Sequence, residues 1–156
     1  MTTTSCIEKD RSLSRAVSPV DVLKSVLIAL TQRNISEAVD QFADEFTFND
    51  HALDLEFRDK GRLTEFFQKA CGLFPHTQVE LVSTFECGDH AIAEWKLTAT
   101  QTESFGSLSY RSPILLRGST IVQIENGRVA EWSDYYDQLR SRRGALRAFF
   151  EEWIEY

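Results

Sequence analysis

The chain has 156 residues, of which 42% are hydrophobic and 12% aromatic, and its formal net charge is −7. This length suits one domain with a substantial core, and the apolar content excludes a disordered chain. The acidic balance gives no electrostatic reason to bind nucleic acid or an anionic membrane, so we expect neither partner.

The spacing of the three cysteines and three histidines predicts neither a disulfide framework nor a metal site. The cysteines are odd in number and show no C-x-x-C spacing, which predicts no disulfide framework and a reducing compartment, the cytoplasm. The histidines form no H-x-x-x-H pattern, which predicts no metal site. Residues 1–17 are rich in Ser and Thr without an apolar run, so we expect a disordered lead-in rather than a secretory signal. No apolar run is long enough to span a bilayer.

Two short helices are predicted next. Ser18-Pro19 marks a helix start, because serine can cap the first turn and proline suits the first helical position. Apolar residues recur at helical spacing through Leu30. Asn34 repeats the capping pattern, and a second helix follows through Phe42.

An aromatic strand is predicted over residues 46–51. Alternation places Phe48 and Asp50 on one face and His51 on the other. A short return strand ends at Phe57. The first of these strands therefore presents a carboxylate beside aromatic side chains.

Longer elements follow. Residues 61–74 predict a third helix, which Pro75 ends. Three long strands are predicted over residues 77–86, 91–102 and 110–125, with a polar loop at 104–107. Pro113 and Gly118 interrupt the third of them, where we expect a bulge or bend.

The last two strands form a predicted hairpin. Asn126-Gly127 is a strong turn signal, because a type I′ turn needs positive φ at both central residues. A regular register from this turn places Ile121 opposite Trp132. One face of the hairpin, which we expect to line a pocket, then carries Ile121, Trp132, Asp134 and Tyr136. The other face, which we expect to be covered by a second subunit, carries Val122, Ile124, Val129 and Tyr135.

Residues 139–156 turn helical again. Leu146, Phe149, Phe150 and Trp153 follow at i, i+3, i+4 and i+7, which predicts an amphipathic helix. Such a helix packs on its own domain or on a partner subunit. The folded domain itself is predicted to span residues 18–138.

This order of elements predicts an α+β fold. A curved, mainly antiparallel (mixed) sheet wraps around the N-terminal helices as a cone. The cone leaves a central pocket lined by Phe, Trp and Tyr side chains.

Four segments carry a resemblance to a known family: FADEFTFNDHAL at 42–53, LFP at 73–75, AIAEWKLTATQTE at 91–103 and GSTIVQIENGRVAEWSDYYD at 118–137. Through them, residues 20–144 resemble the nuclear transport factor 2-like superfamily, and within it the SnoaL-like polyketide cyclase or ester cyclase group. The resemblance implies a cystatin-like α+β barrel with a deep apolar pocket. It also implies a homodimer, a small apolar ligand and no cofactor.

The resemblance further implies a catalytic Asp on the last strand, which corresponds to Asp134. In an apolar pocket, desolvation would raise its pKa and make it an acid or base near neutrality. The alternative is a strand-end Asp bound to backbone or to an Arg. Asp50 is the second catalytic candidate, and His51 is a third if a bulge turns it inward.

Seven residues complete the expected substrate pocket: Tyr136, Trp132, Tyr110, Phe48, Glu94, Lys96 and Ile121. Tyr136 or Tyr110 would hold a carbonyl oxygen, while Glu94 and Lys96 either pair with each other or are solvated. Epoxide hydrolases of the superfamily carry an Arg-x-Asp pair on a middle strand. The matching place reads Glu94-Trp95-Lys96, which argues against epoxide hydrolysis.

Two functions fit this pattern. The first is a cofactor-free cyclase or isomerase-type enzyme that abstracts a proton α to the carbonyl of an apolar substrate, with polycyclic compounds among the candidates. The second is a non-catalytic module of the same fold that binds a small molecule or dimerises. Turnover that is lost in Asp134→Asn would favour the enzyme, whereas binding without turnover would favour the module.

Overall fold

A computed structural model of the chain describes residues 17–105 and 108–137. Its elements are α1 Pro19–Thr31, α2 Ile35–Asp40, β1 Phe42–Asp50, β2 Leu55–Phe57, α3 Lys60–Leu73, β3 Gln78–Cys87, β4 His90–Phe105, β5 Leu108–Glu125 and β6 Arg128–Tyr136. The predicted lead-in, apart from Val17, and the predicted C-terminal helix lie outside the described residues. None of the described helices is long and apolar enough to cross a membrane.

The helix starts follow from local capping. Ser18 and Asn34 each accept a hydrogen bond from the backbone N–H three residues later, at 3.4 Å. The end of α2 differs from the prediction, because Phe42 begins β1 instead of closing the helix. The Phe42 ring packs at 5.2 Å from Phe46 and 5.9 Å from Trp132, so its contacts within the core outweigh the helical spacing.

The six strands form one sheet in the order β2-β1-β6-β5-β4-β3. β1 runs parallel to β6, and every other neighbouring pair is antiparallel. Helix α1 packs on β3, β4 and β5, and α3 contacts β2 and α2. The hydrophobic core lies between these helices and one face of the sheet. The predicted α+β fold with a mixed sheet is confirmed.

The predicted turn is confirmed, but the hairpin register contains a β-bulge. Asn126 and Gly127 have positive φ angles of 51° and 75°. Ala130 has no partner in β5. The pairs on either side of it are Ile124 with Val129 and Gln123 with Glu131. This extra residue shifts the rest of β6 by one position against β5.

The bulge corrects the predicted faces. Thr120 lies opposite Asp134, and Val122 lies opposite Trp132. Ile121, predicted to line the pocket, pairs with Ser133 instead and is 37% exposed on the outer face. Its place in the expected pocket wall is wrong, because the alternation was carried across the bulge as if the strand were regular.

Three residues expected on the outer face are in the core. Val122, Ile124 and Val129 are all buried in the main hydrophobic cluster, and Tyr135 alone of that predicted set is exposed. In a regular strand Val129 and Trp132 would point to opposite faces. The bulge between them lets both side chains reach the core.

Of the bulge or bend expected in β5, the bulge is wrong. The register between β4 and β5 runs without a shift past both Pro113 and Gly118. Gly118 has another role, since an added Cβ would lie 2.6 Å from the ring of Trp95 and 2.5 Å from the carbonyl oxygen of Tyr135. The glycine lets the indole lie directly against β5. β4 includes Ser104 and Phe105, which the sequence analysis placed in a polar loop.

The outer face of the sheet carries an apolar row. Phe85 pairs with Ile92, and Ile92 pairs with Ile121, so the three side chains lie side by side on neighbouring strands. Phe85 is 67% exposed and Ile92 is 42% exposed. We refer to these three residues as the outer apolar row.

Candidate active site

The candidate site is built from rows of paired residues that cross neighbouring strands on the inner face of the sheet. The pairing aligns Ala91, Val122, Trp132 and Phe48 in one row, and Ala93, Thr120, Asp134 and Asp50 in the next. A third row aligns Trp95, Gly118 and Tyr136. The middle row therefore places a hydroxyl and two carboxyl groups between two rows of mostly apolar side chains.

A cavity of about 200 Å³ lies over these rows. Its helical wall is formed mainly by Leu27, Leu30, Phe66, Phe67, Ala70 and Phe74. On the sheet side the lining includes Phe48, Trp95, Thr120, Trp132, Asp134 and Tyr136. The functional groups that can exchange a proton near neutral pH thus come from the strands.

Asp134 is held by a chain of two hydrogen bonds. Trp95 Nε1 donates to Thr120 Oγ1 at 2.9 Å, and Thr120 Oγ1 donates to Asp134 Oδ1 at 2.5 Å. Thr120 is fully buried. We call this chain the Trp95–Thr120 relay; it fixes one oxygen of the Asp134 carboxyl.

Burial raises the pKa of Asp134 to about 7. The Thr120 hydrogen bond opposes this shift, and the charge of Asp50 on the neighbouring strand adds to it. The Trp132 indole also lowers this pKa, although its Nε1 has no acceptor in hydrogen-bond geometry among the described residues. Trp132 Nε1 therefore acts on Asp134 as a nearby dipole. Asp134 is half-buried and lines the cavity, so its remaining surface faces the ligand space.

Asp50 is 4% exposed and lies behind Tyr136. Its Oδ1 accepts from the backbone N–H groups of Ala52 at 3.1 Å and Leu53 at 3.0 Å, and its Oδ2 accepts from Tyr136 Oη at 2.8 Å. Burial raises the pKa of Asp50 to about 6, against the lowering effect of these hydrogen bonds. Asp50 therefore contacts the cavity through the phenol of Tyr136.

Tyr136 lines the cavity, but its hydroxyl proton is directed at Asp50. Burial, followed by the charge of Asp50, raises the pKa of Tyr136 far above its ordinary value. The phenol therefore stays protonated. In this arrangement it cannot hold a carbonyl oxygen in the way the sequence predicts, because its one proton is already donated.

Two predicted charged pocket residues lie outside the cavity. Glu94 is exposed and accepts a hydrogen bond from Ser83 at 3.1 Å, and Lys96 pairs with Glu80 at 3.3 Å. Of the two alternatives left open for Glu94 and Lys96, pairing with each other does not occur, because each has a different partner. Both residues lie on the outer side of β4, while Trp95 between them enters the site, as alternation along a strand requires.

His51 is also outside the cavity. It is exposed and stacks on Tyr135 with ring centroids 4.4 Å apart. The inward turn that would have placed it in the pocket does not occur. Tyr110 lies in β5 opposite Glu103, but its side chain is outside the described part of the structure.

Thr120 is the site residue that the sequence analysis missed. The regular register placed Ser119, one position earlier, opposite Asp134. A single extra residue in β6 moves this partner to Thr120. The apolar pattern carries only an ambiguous signal, because Val129 and Trp132 can both reach the same core only if the strand is irregular between them.

The site offers no evident metal position. Within residues 17–105 and 108–137, no three His, Cys, Asp or Glu side chains cluster in a way that could hold a metal ion. Cys71 lines the cavity, and burial raises the pKa of its thiol.

Comparison with solved structures concerns the fold. A protein from Jannaschia Sp. CCS1 that carries the name SnoaL-like polyketide cyclase superimposes with a TM-score of 0.71 at 17% identity, covering 88% of this chain and 96% of that one. A protein with a ketosteroid isomerase-like fold from Catenulispora acidiphila DSM 44928 gives a TM-score of 0.64 at 17% identity, covering 75% of this chain and 85% of that one. An LEH-like epoxide hydrolase from M. tuberculosis gives 0.63 at 15% identity, covering 88% and 96%.

No curated protein sequence is similar enough to match this chain. The sequence profile of the SnoaL-like domain, however, matches residues 23–132, which is most of the chain and runs from Leu23 within α1 to Trp132 within β6. This match confirms the resemblance carried by the four sequence segments. The chain therefore belongs to the family of SnoaL-like domains.

Proposed function

We propose that the chain is a cofactor-independent acid–base enzyme acting on a small, apolar carbonyl compound. The observation that carries the proposal is Asp134, a carboxyl group with a pKa of about 7 on the floor of an apolar cavity. A proton-transfer group works best when its pKa lies near the operating pH. Asp50 and Tyr136 form a second proton-accepting unit two residues along the same wall.

The proposed reaction is the interconversion of a ketone and its enol. Protonated Asp134 gives its proton to the carbonyl oxygen. Tyr136 Oη takes the proton from the α-carbon as the C–H bond breaks, and passes its own proton to Asp50 Oδ2. The electron pair of the C–H bond forms the carbon–carbon double bond. An enol formed in this way could be reprotonated or could attack a second carbonyl group in a cyclisation.

The proposed active form contains neutral Asp134 and ionised Asp50. With pKa values of about 7 and about 6, this form is most abundant between those two pH values. The two carboxyl groups interact, so a pH profile reports the pair rather than either residue alone. We expect a bell-shaped rate profile with its maximum in this narrow range.

Hydrogen exchange tests the proposal directly. Cyclohexanone incubated with the protein in D₂O should lose its α-proton signals by NMR faster than in buffer. Asp134→Asn and Tyr136→Phe should each lower the exchange rate by roughly 10² to 10⁴, the usual contribution of a positioned acid or base. Asp50→Asn should lower the exchange rate by a similar factor, because an amide cannot take up the proton that Tyr136 passes on.

Matched controls come from the outer face. Glu94→Gln makes the same acid-to-amide change away from the cavity, and Tyr135→Phe removes a hydroxyl next in sequence to Tyr136. Both should exchange at the parent rate. Unchanged exchange in Asp134→Asn would overturn the proposal. Saturable ketone binding without any exchange in the parent protein would instead establish the second candidate, a non-catalytic binding module.

We also propose that the protein forms a homodimer through the outer face of the sheet. The support is the outer apolar row, Phe85, Ile92 and Ile121, which leaves adjacent hydrophobic side chains exposed on three neighbouring strands. Contiguous exposed apolar surface of this kind marks protein contact sites.

A further inference from the structure

The cavity is small for the polycyclic compounds that the sequence leaves open as substrates. Its volume is about 200 Å³. An engineered apolar cavity of about 150 Å³ holds benzene, and pockets for drug-sized ligands begin at about 300 Å³. The space in this structure therefore suits a single ring with small substituents, and it is too small for a fused polycyclic compound.

The polar hydrogens around the cavity are almost all committed within the protein. Six lining side chains direct their hydroxyl, thiol or indole hydrogen at a protein acceptor: Thr31, Cys71, Thr77, Trp95, Thr120 and Tyr136. Trp132 Nε1 has no partner in hydrogen-bond geometry among the described residues, but this atom is fully buried and does not reach the cavity. One side-chain donor therefore remains for a ligand among the described lining residues, the carboxyl proton of Asp134.

The Trp95–Thr120 relay decides which oxygen of Asp134 carries that proton. The Trp95 indole can only donate, so Thr120 Oγ1 must accept from it, and the Thr120 hydroxyl hydrogen then points at Asp134 Oδ1. Oδ1 is engaged as an acceptor. The transferable proton is therefore held on Oδ2.

We propose that the site takes a compact, uncharged, single-ring molecule whose one carbonyl oxygen accepts a hydrogen bond from Asp134 Oδ2. This inference narrows the substrate class of the proposed reaction and rests on the same cavity being its substrate site. A second oxygen on the ring would be buried against apolar walls without a partner, which weakens binding.

Calorimetric titration with cyclohexanone tests the hydrogen bond from Asp134 to the carbonyl oxygen. Affinity should fall about tenfold between pH 6 and pH 8, because ionised Asp134, with its pKa of about 7, has no proton to donate. Asp134→Asn should bind cyclohexanone with no such fall, since Thr120 donates to the amide oxygen and the NH₂ group replaces the Oδ2 proton. Cyclohexanol can donate to the carboxylate, so its affinity in the parent should stay within about threefold.

Other titratable groups face the same space, and one of them needs its own control. Tyr136 and Cys71 both have raised pKa values and stay protonated over this pH range. Asp50 does not, but its charge raises the pKa of Asp134. Asp50→Asn should therefore move the fall in cyclohexanone affinity to lower pH without removing it.

Two further ligands test size and oxygen count in the parent at pH 6. Fluorenone, with three fused rings, and cyclohexane-1,4-dione, with a second carbonyl, should each bind at least tenfold more weakly than cyclohexanone. Fluorenone binding as tightly as cyclohexanone, or pH-independent cyclohexanone binding in the parent, would overturn the inference. If cyclohexanone exchanges its α-protons but fluorenone binds as tightly as cyclohexanone, the proposed function stands and this inference fails. If the predicted binding pattern is observed without any exchange, this inference stands and the proposed enzymatic function is contradicted.

Discussion

Asp134 lowers the stability of the fold at neutral and alkaline pH. Its pKa is about 7 in the folded protein against an ordinary value of 3.8, so between these values the folded state binds more protons than the unfolded state. The free energy of unfolding contributed by this residue is therefore highest below pH 3.8 and is lost as the pH rises through about 7. An ionised carboxylate in the apolar cavity has lost part of its hydration, and this lowers the free energy of unfolding. Such a loss at a buried polar group is a common conflict between stability and function.

Asp134→Asn should relieve this conflict. At pH 8 the variant should be more stable than the parent by up to about 4 kcal/mol, and the difference should shrink towards zero by pH 4. Thermal unfolding followed by circular dichroism across this pH range gives the measurement. Glu94→Gln, an exposed counterpart, should follow the parent at every pH. A constant difference between Asp134→Asn and the parent would mean that the carboxyl does not titrate as described.

At the scale of single residues, the sequence predicted the positions of Asp50 and Asp134 better than the side chains that contact them. Alternation placed Asp50 and Asp134 on aromatic faces, and desolvation alone was enough to expect a raised pKa. The Tyr136–Asp50 hydrogen bond depends on the parallel pairing of β1 with β6, which joins residues 86 positions apart. No local pattern in the sequence encodes that contact.

The bulge at Ala130 is the element that directs the second half of β6 into the site. Val129 lies before it and Trp132 after it, and both are buried. Without the extra residue, the side chains on one side of position 130 would face the opposite surface of the sheet. The bulge thus connects the packing of the core with the orientation of Asp134.

Deletion of Ala130 should abolish cooperative folding. A one-residue slip would expose either Val129 or the Trp132–Asp134–Tyr136 face, and loss of several buried side chains exceeds the usual margin of stability. Near-UV circular dichroism and thermal melts check this outcome. Ala130→Ser keeps the residue count and should fold normally. A deletion variant that melts like the parent would show that the bulge is dispensable.

The elements differ in how far the sequence determined them. Capping residues and the Asn126-Gly127 turn fixed the starts of α1 and α2 and the last hairpin, because each acts within a few residues. Pro113 and Gly118 were misread as sites of irregularity. Gly118 serves the cross-strand contact with Trp95, which only the assembled sheet reveals.

At the scale of the molecule, the outer apolar row should hold two copies together. Ile92→Glu would place a charge at the centre of the row, between Phe85 and Ile121, and should convert a dimer into a monomer. Light scattering at micromolar concentration measures the mass. Gln32→Glu adds the same charge at the exposed end of α1 and should leave the dimer intact. A monomeric parent would contradict the proposed dimer.

The cavity divides its tasks between two parts of the chain. The helices α1 and α3 contribute mainly apolar side chains that set its shape, whereas the carboxyl, phenol and hydroxyl groups of the polar centre lie on β1, β5 and β6. Substitutions on the helices can therefore reshape the space without displacing the acids. The shape of the cavity and the acid–base properties of its polar centre can therefore diverge separately, because changes on the helices alone alter the space while the carboxyl groups stay in place.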